Sequence, residues 1–147
     1  MKAKLRRVKN LGLVVVDYLQ LMESEKSRKD GSRVNEIADI SRGLKKLAME
    51  LNIPVITCSQ LSRGTEKEKE RQPMLSDLRD SGSIEQDADL VMFLFSESYY
   101  DPQNPEKKGK AECIIAKNRH GEVKTVPLRW IGEYTKFITT DVEHEEQ

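Results

Sequence analysis

Two aliphatic runs bracket one long helical pattern, and that arrangement restricts the fold of this chain more than any other feature. Leu11-Gly12-Leu13-Val14-Val15-Val16 and Val55-Ile56-Thr57-Cys58 are strand-sized and mostly β-branched. The unbroken apolarity of the first points to a strand buried on both faces. Between them Val34, Ile37, Ala38, Leu44, Leu47, Ala48 and Leu51 recur at helical spacing. Ser32 is the start signal of that helix, and Asn52 and Pro54 are its stop signals. Two strands joined by so long a helical crossover pair in parallel. The expected class is therefore α/β.

Further along, the pattern changes. Residues 23–32 and 64–72 are charged and read as loops. Residues 73–80 and 83–88 read as short helices separated by Gly82, and 90–95 as a third buried strand. After an excursion over 96–109, residues 111–116 and 122–130 flank His120-Gly121 and predict a hairpin. Residues 136–140 read as a last strand, and 141–147 as an acidic, disordered tail. The expectation is one domain over 1–140, a mixed sheet with parallel core strands, helices and a C-terminal antiparallel hairpin.

Charge excludes one class of partner. Lys plus Arg number 25 and Asp plus Glu number 25, for a net charge of +0. A polybasic binder that holds phosphate by charge alone is therefore excluded, although a site of a few placed cations is not. Aromatics at 5% are too sparse for a base-stacking platform. Cys58 and Cys113 each lie within an apolar run and read as buried free thiols of a cytoplasmic protein. No run approaches the length of a membrane span.

In open α/β sheets, ligands gather at the carboxyl ends of parallel strands. Those ends carry Asp17 and Ser59-Gln60. An Asp after a buried strand suits a magnesium ion held through water beside nucleotide phosphates, and equally an ordinary strand-to-loop cap. Gln60 suits the sensing of a γ-phosphate, or the anchoring of a loop. Arg79, with backbone N–H groups near Gly82, suits a phosphate grip that ignores sequence, or two capped helices around a glycine turn. Lys117 and Arg119, at a strand end and hairpin tip, suit cations that act on a neighbour's nucleotide, or a solvated tip.

Together these segments resemble DnaB-type replicative helicases. The resemblance rests on LGLVVVDYLQLM (11–22), NIPVITCSQLSR (52–63), PMLSDLRDSGSIEQDAD (73–89) and IIAKNRHG (114–121), in the family's order and spacing. It implies a RecA-like motor that hydrolyses ATP with Mg2+, forms a homohexamer around single-stranded DNA, and meets a primase and a helicase loader. It also implies roles. Asp17 would be the magnesium-side acid, and Gln60 would couple γ-phosphate state to the DNA-facing loops. Arg79, Asp80 and Gly82 would track the DNA backbone. Lys117 and Arg119 would reach the adjacent subunit's nucleotide. Asp80 stands where the family often has Glu, and Glu122-Val123-Lys124-Thr125 where it often has Pro and further Gly.

One part of such a motor is missing from the sequence. A phosphate-cradling loop needs Gly-x-x-x-x-Gly-Lys-Ser/Thr. The only Gly-Lys, Gly109-Lys110, is followed by Ala111, and Asn104 occupies the first glycine position. The expectation is a piece of a helicase, inactive alone. The alternative is a standalone DNA- or helicase-binding protein derived from this fold.

Overall fold

The computed structural model of the chain describes residues 2–23, 32–61, 71–101 and 103–140, with backbone alone at 2, 79–82 and 100. Of the expected loops over 23–32 and 64–72, residues 24–31 and 64–70 lie outside the described residues, as does the expected acidic tail over 141–147. The elements in order are α1 (Lys2–Leu5), β1 (Val14–Val16), α2 (Arg33–Leu51), β2 (Val55–Thr57), α3 (Gly82–Asp87), β3 (Leu90–Phe95), α4 (Glu97–Tyr100), β4 (Lys110–Asn118), β5 (Lys124–Ile131) and β6 (Lys136–Thr139). Short 3-10 turns lie at Leu19–Leu21, Leu75–Ser81, Pro105–Lys107 and Gly132–Tyr134. The chain divides into two compact units: Met1–Arg63 with Leu75–Ala88, and Gly64–Met74 with Asp89–Gln147.

In the first unit, β1 and β2 pair in parallel, Val14 opposite Val55 and Val16 opposite Thr57. The crossover α2 buries Ile37, Ile40, Leu44 and Leu47. Their 3-4-3 spacing makes one continuous stripe. That stripe faces α3, the 75–81 turn, β2 and the Leu19–Leu21 turn. Burial of each such side chain contributes roughly 1.5–3 kcal/mol. Val14, Leu19, Leu78 and Ile84 complete this core, Leu19 most deeply at 1% exposure. Ser32 takes the N-cap position of α2 with extended backbone, but its side chain makes no capping bond. Asn52 ends the helix in the left-handed region, its N–H donating to the Ala48 and Met49 carbonyls, as a C-terminal stop requires.

The second unit is an antiparallel meander, β3-β4-β5-β6. The predicted hairpin is its middle pair, with Cys113 opposite Val126. Trp130 and Phe137 face each other across β5 and β6 with ring centroids 4.6 Å apart. Such a cross-strand aromatic pair pins the register. Val91, Phe93, Phe95 and Ala111 are its buried apolar residues.

The α/β class and both kinds of pairing follow the sequence, carried by a two-stranded sheet and a four-stranded one. Three expectations are corrected. The apolar runs are not covered on both faces: Val15 is 58% exposed, and β3 alternates strictly, with Leu90, Met92 and Leu94 outward. Cys58 is exposed and Cys113 half-buried, so neither thiol is a core residue. Gly82 does not separate two helices, because the 75–81 turn runs straight into α3.

Candidate functional site

The parallel ladder continues past the last paired residues and fixes where the two strand ends lead. Cys58 N–H donates to the Val16 carbonyl at 2.9 Å, and Leu19 N–H donates to the Cys58 carbonyl at 2.9 Å. Asp17 and Gln60 thus leave the sheet at neighbouring carboxyl ends, both exposed. This is the position at which open parallel sheets take ligands.

A residue that the sequence reading passed over ties these ends together. The side-chain Nε2 of Gln20 donates to Ser59 Oγ at 3.0 Å and to the Gln60 carbonyl at 3.2 Å. Its Oε1 accepts from Gln60 N–H at 3.2 Å. The carbonyl of Gln20 in turn accepts from the Arg33 guanidinium, which also pairs with Glu36 in the first turn of α2. No periodicity marks Gln20. Only the register of two strands far apart in sequence sets it against Gln60.

Arg79, Asp80 and Gly82 lie in the helical stretch that joins the Leu75–Ser81 turn to α3, so their backbone is helical rather than an open loop. Asp77, Leu78 and Ile84 are buried and anchor this stretch on either side. The side chains at 79–82 lie outside the described part of the structure.

Lys117 and Arg119 belong to the second unit. The β3–β4 register shifts between Val91 and Met92: Val91 faces Lys117, whereas Met92 faces Ile115. Ala116 is the extra residue of this bulge. A bulge reverses the alternation beyond it. Lys117 is thereby placed on the face of Val91, which strict alternation would have given to Ala116. Arg119 N–H donates to the Asp89 carbonyl at 2.9 Å, and its Nη1 lies 3.4 Å from Asp89 Oδ1.

The tip beyond is stapled by Asn118. Its Oδ1 accepts from His120 N–H at 3.2 Å, and its Nδ2 donates to the Glu122 carbonyl at 3.4 Å. A Cβ on Gly121 would stand 2.7 Å from Asn118 Nδ2, so any larger residue there would have to displace the Asn118 side chain from the staple. Neither Asn118 nor Asp89 was singled out from the sequence.

Among the described residues no group of three or more His, Cys, Asp or Glu side chains could hold a metal. Asp17 therefore offers one carboxylate. One carboxylate fits a Mg2+ that keeps its waters and takes phosphate oxygens. It does not fit a metal caged by protein alone. No described helix is long and apolar enough to cross a membrane.

Comparison with known proteins adds a second line of observation. The family described as DnaB-like helicase C terminal domain matches residues 1–139. The replicative DNA helicase DnaC of Bacillus subtilis (strain 168) is 50% identical over 95% of this chain and 31% of its own length. The replicative DNA helicase DnaB of Geobacillus stearothermophilus is 49% identical over 99% of this chain and 32% of its own. The chain thus spans about a third of the length of these relatives. Among solved structures, one described as an ATPase domain matches at a TM-score of 0.86 and 47% identity, over 95% of this chain and 50% of that one. "The Structure Of A DnaB-Like Replicative Helicase And Its Interactions With Primase" matches at 0.85 and 46%, over 95% of this chain and 34% of that one.

Proposed function

Because this chain belongs to the DnaB-like helicase C-terminal domain family, we propose that it forms the C-terminal part of the ATP-driven motor of a replicative DNA helicase. The observation that carries this reading is the placement of Asp17 and Gln60 at adjacent carboxyl ends of a parallel strand pair. ATP would supply the phosphoryl bond whose hydrolysis drives movement, and Mg2+ would neutralise its phosphates. Asp17 would hold the ion through water. Gln60 would face the γ-phosphate with an uncharged amide, which adds no repulsion there.

Lys117 and Arg119 would serve the nucleotide of a neighbouring subunit in a homohexameric ring. The Arg119–Asp89 pair is nearly half exposed on both sides. A pair so exposed is weak, about 0–1 kcal/mol, so this ion pair by itself would be a small barrier to a phosphate taking the place of Asp89. Arg79, Asp80 and Gly82 would meet the backbone of single-stranded DNA, a contact that ignores sequence. The sequence has no phosphate-cradling loop. In this reading the cradle comes from the remainder of the motor, and the chain alone does not turn over ATP. Primase and a loader are the expected partners, and the cytoplasm the expected compartment. The standalone binding-protein alternative draws no support from relatives that are themselves named helicases.

One mixing experiment tests the division of roles. In a full-length helicase carrying this sequence, Asp17→Asn and Arg119→Ala should each lower ATP turnover by roughly a hundredfold or more, the scale of losing one charge-stabilising group. Mixed rings of the two variants should regain activity, because each subunit supplies what its neighbour lacks. Turnover near wild type in either variant overturns the assignment for that residue. Silence at every mixing ratio overturns action across the subunit boundary.

A further inference from the structure

We infer that Gln20 is a positioning residue that locks the backbone of Gln60 to the strand end bearing Asp17. The inference rests on the reading of Asp17 and Gln60 proposed above.

The argument starts from where the backbone ladder stops. The last backbone bonds between the two strand ends are Cys58 N–H to Val16 O and Leu19 N–H to Cys58 O. Both of Gln60's own backbone groups lie past that point, on an exposed residue. The Gln20 side chain takes up both groups at once, accepting from the N–H and donating to the C=O. A primary amide has two N–H donors and one carbonyl acceptor. Here one N–H faces Ser59 Oγ, the other the Gln60 carbonyl, and the oxygen faces Gln60 N–H. The side chain thus extends the parallel sheet by one step. It does so from the residue three beyond Asp17.

Gln20 is itself held. Leu19 before it is the most deeply buried side chain described, and the Gln20 carbonyl is taken by Arg33 at the start of α2. A displacement of Gln60 therefore pulls on a segment anchored in the core and on the helix. By the same route, a displacement at Asp17 reaches Gln60. The chemistry is specific to an amide of this length. Glutamate would keep an acceptor for Gln60 N–H but would set a negative oxygen against the Gln60 carbonyl. Leucine would keep the bulk and lose all three bonds.

Two measurements test this, one of them independent of catalysis. In this chain, Gln20→Leu should speed hydrogen exchange at the Gln60 amide about tenfold while leaving the Val14 and Cys58 amides within twofold. Unchanged exchange at Gln60 overturns the lock. In a full-length helicase carrying this sequence, Gln20→Leu should lower kcat for DNA-stimulated ATP hydrolysis about tenfold, with KM for ATP within twofold. Gln20→Glu should fall between leucine and wild type. The double variant with Gln60→Ala should be no slower than Gln60→Ala alone, the non-additivity expected of residues acting through one contact. Additive losses, or a kcat within twofold of wild type for Gln20→Leu, overturn the positioning role. A Gln60→Ala variant with wild-type turnover instead brings down the underlying reading of Gln60, whatever the exchange result.

Discussion

The two units hold their candidate functional groups by opposite means. In the first, β1 and β2 are three residues each, and one face of the pair is open. So short a ladder cannot by itself fix what lies beyond its ends. The buried Leu19, the Gln20 amide and the helix α2 do that. In the second, β4 and β5 are nine and eight residues long, and the ladder itself sets Lys117 on the face of the buried Val91 and leads the chain to Arg119 just past its end. There the placement of these two cations turns on the points of irregularity, the bulge at Ala116 and the Asn118 staple. Short parallel strands place groups through packing and side-chain clamps. Long antiparallel strands place them through register.

The comparison can be broken most sharply at Leu19. Leu19→Ala removes a fully buried side chain beside the first site and should cost about 2–5 kcal/mol. Its effect should appear as faster exchange at the Cys58 and Val14 amides. Equal acceleration in β4 and β5 would show that the two strand systems are not held separately.

A smaller effect is expected at the hairpin tip. Gly121→Ala forces a Cβ onto Asn118 Nδ2 and should cost roughly 1–2 kcal/mol, read as faster exchange at His120 with the β5–β6 amides unmoved. Unaltered His120 exchange would mean that the Asn118 staple does not hold the tip.

The smallest effect should be a gain. Gly43 lies on the exposed side of α2, and an added Cβ meets nothing within 4 Å. Gly43→Ala should therefore stabilise the first unit by about 0.5–1 kcal/mol through helix propensity. A loss in urea midpoint would show that the helix needs the glycine for a contact outside the described residues.

Much of the architecture was legible because it is written in local periodicity. The helical recurrence of Val34, Ile37, Ala38, Leu44, Leu47, Ala48 and Leu51 predicts α2, and Asn52 its end. Only the structure shows that Ile40 joins the buried stripe and that Val34 stays exposed. The alternation of β3 is not written in its sequence, which is apolar at every position; the structure alone shows that Leu90, Met92 and Leu94 face out. Burial on both faces was the misreading. An apolar run shows that a strand tolerates burial, not that something covers it. The thiols were misjudged for the same reason, since an apolar neighbourhood in sequence does not bury Cys58 at a strand's end.

For the sites, the sequence by itself determined the chemistry available: an acid at one strand end, an amide at the next, two cations near a hairpin tip, and motifs that place the chain in its family. It determined these because residue type and spacing along one element are local properties. The tertiary structure decided which groups meet. Gln20 faces Gln60 because two parallel strands settle in one register. Lys117 shares a face with Val91 because Ala116 is squeezed out as a bulge. Arg119 rests on Asp89 because β3 and β4 pair there. Each of these joins residues distant in sequence, and no local pattern carries a strand register that only the paired backbones can set.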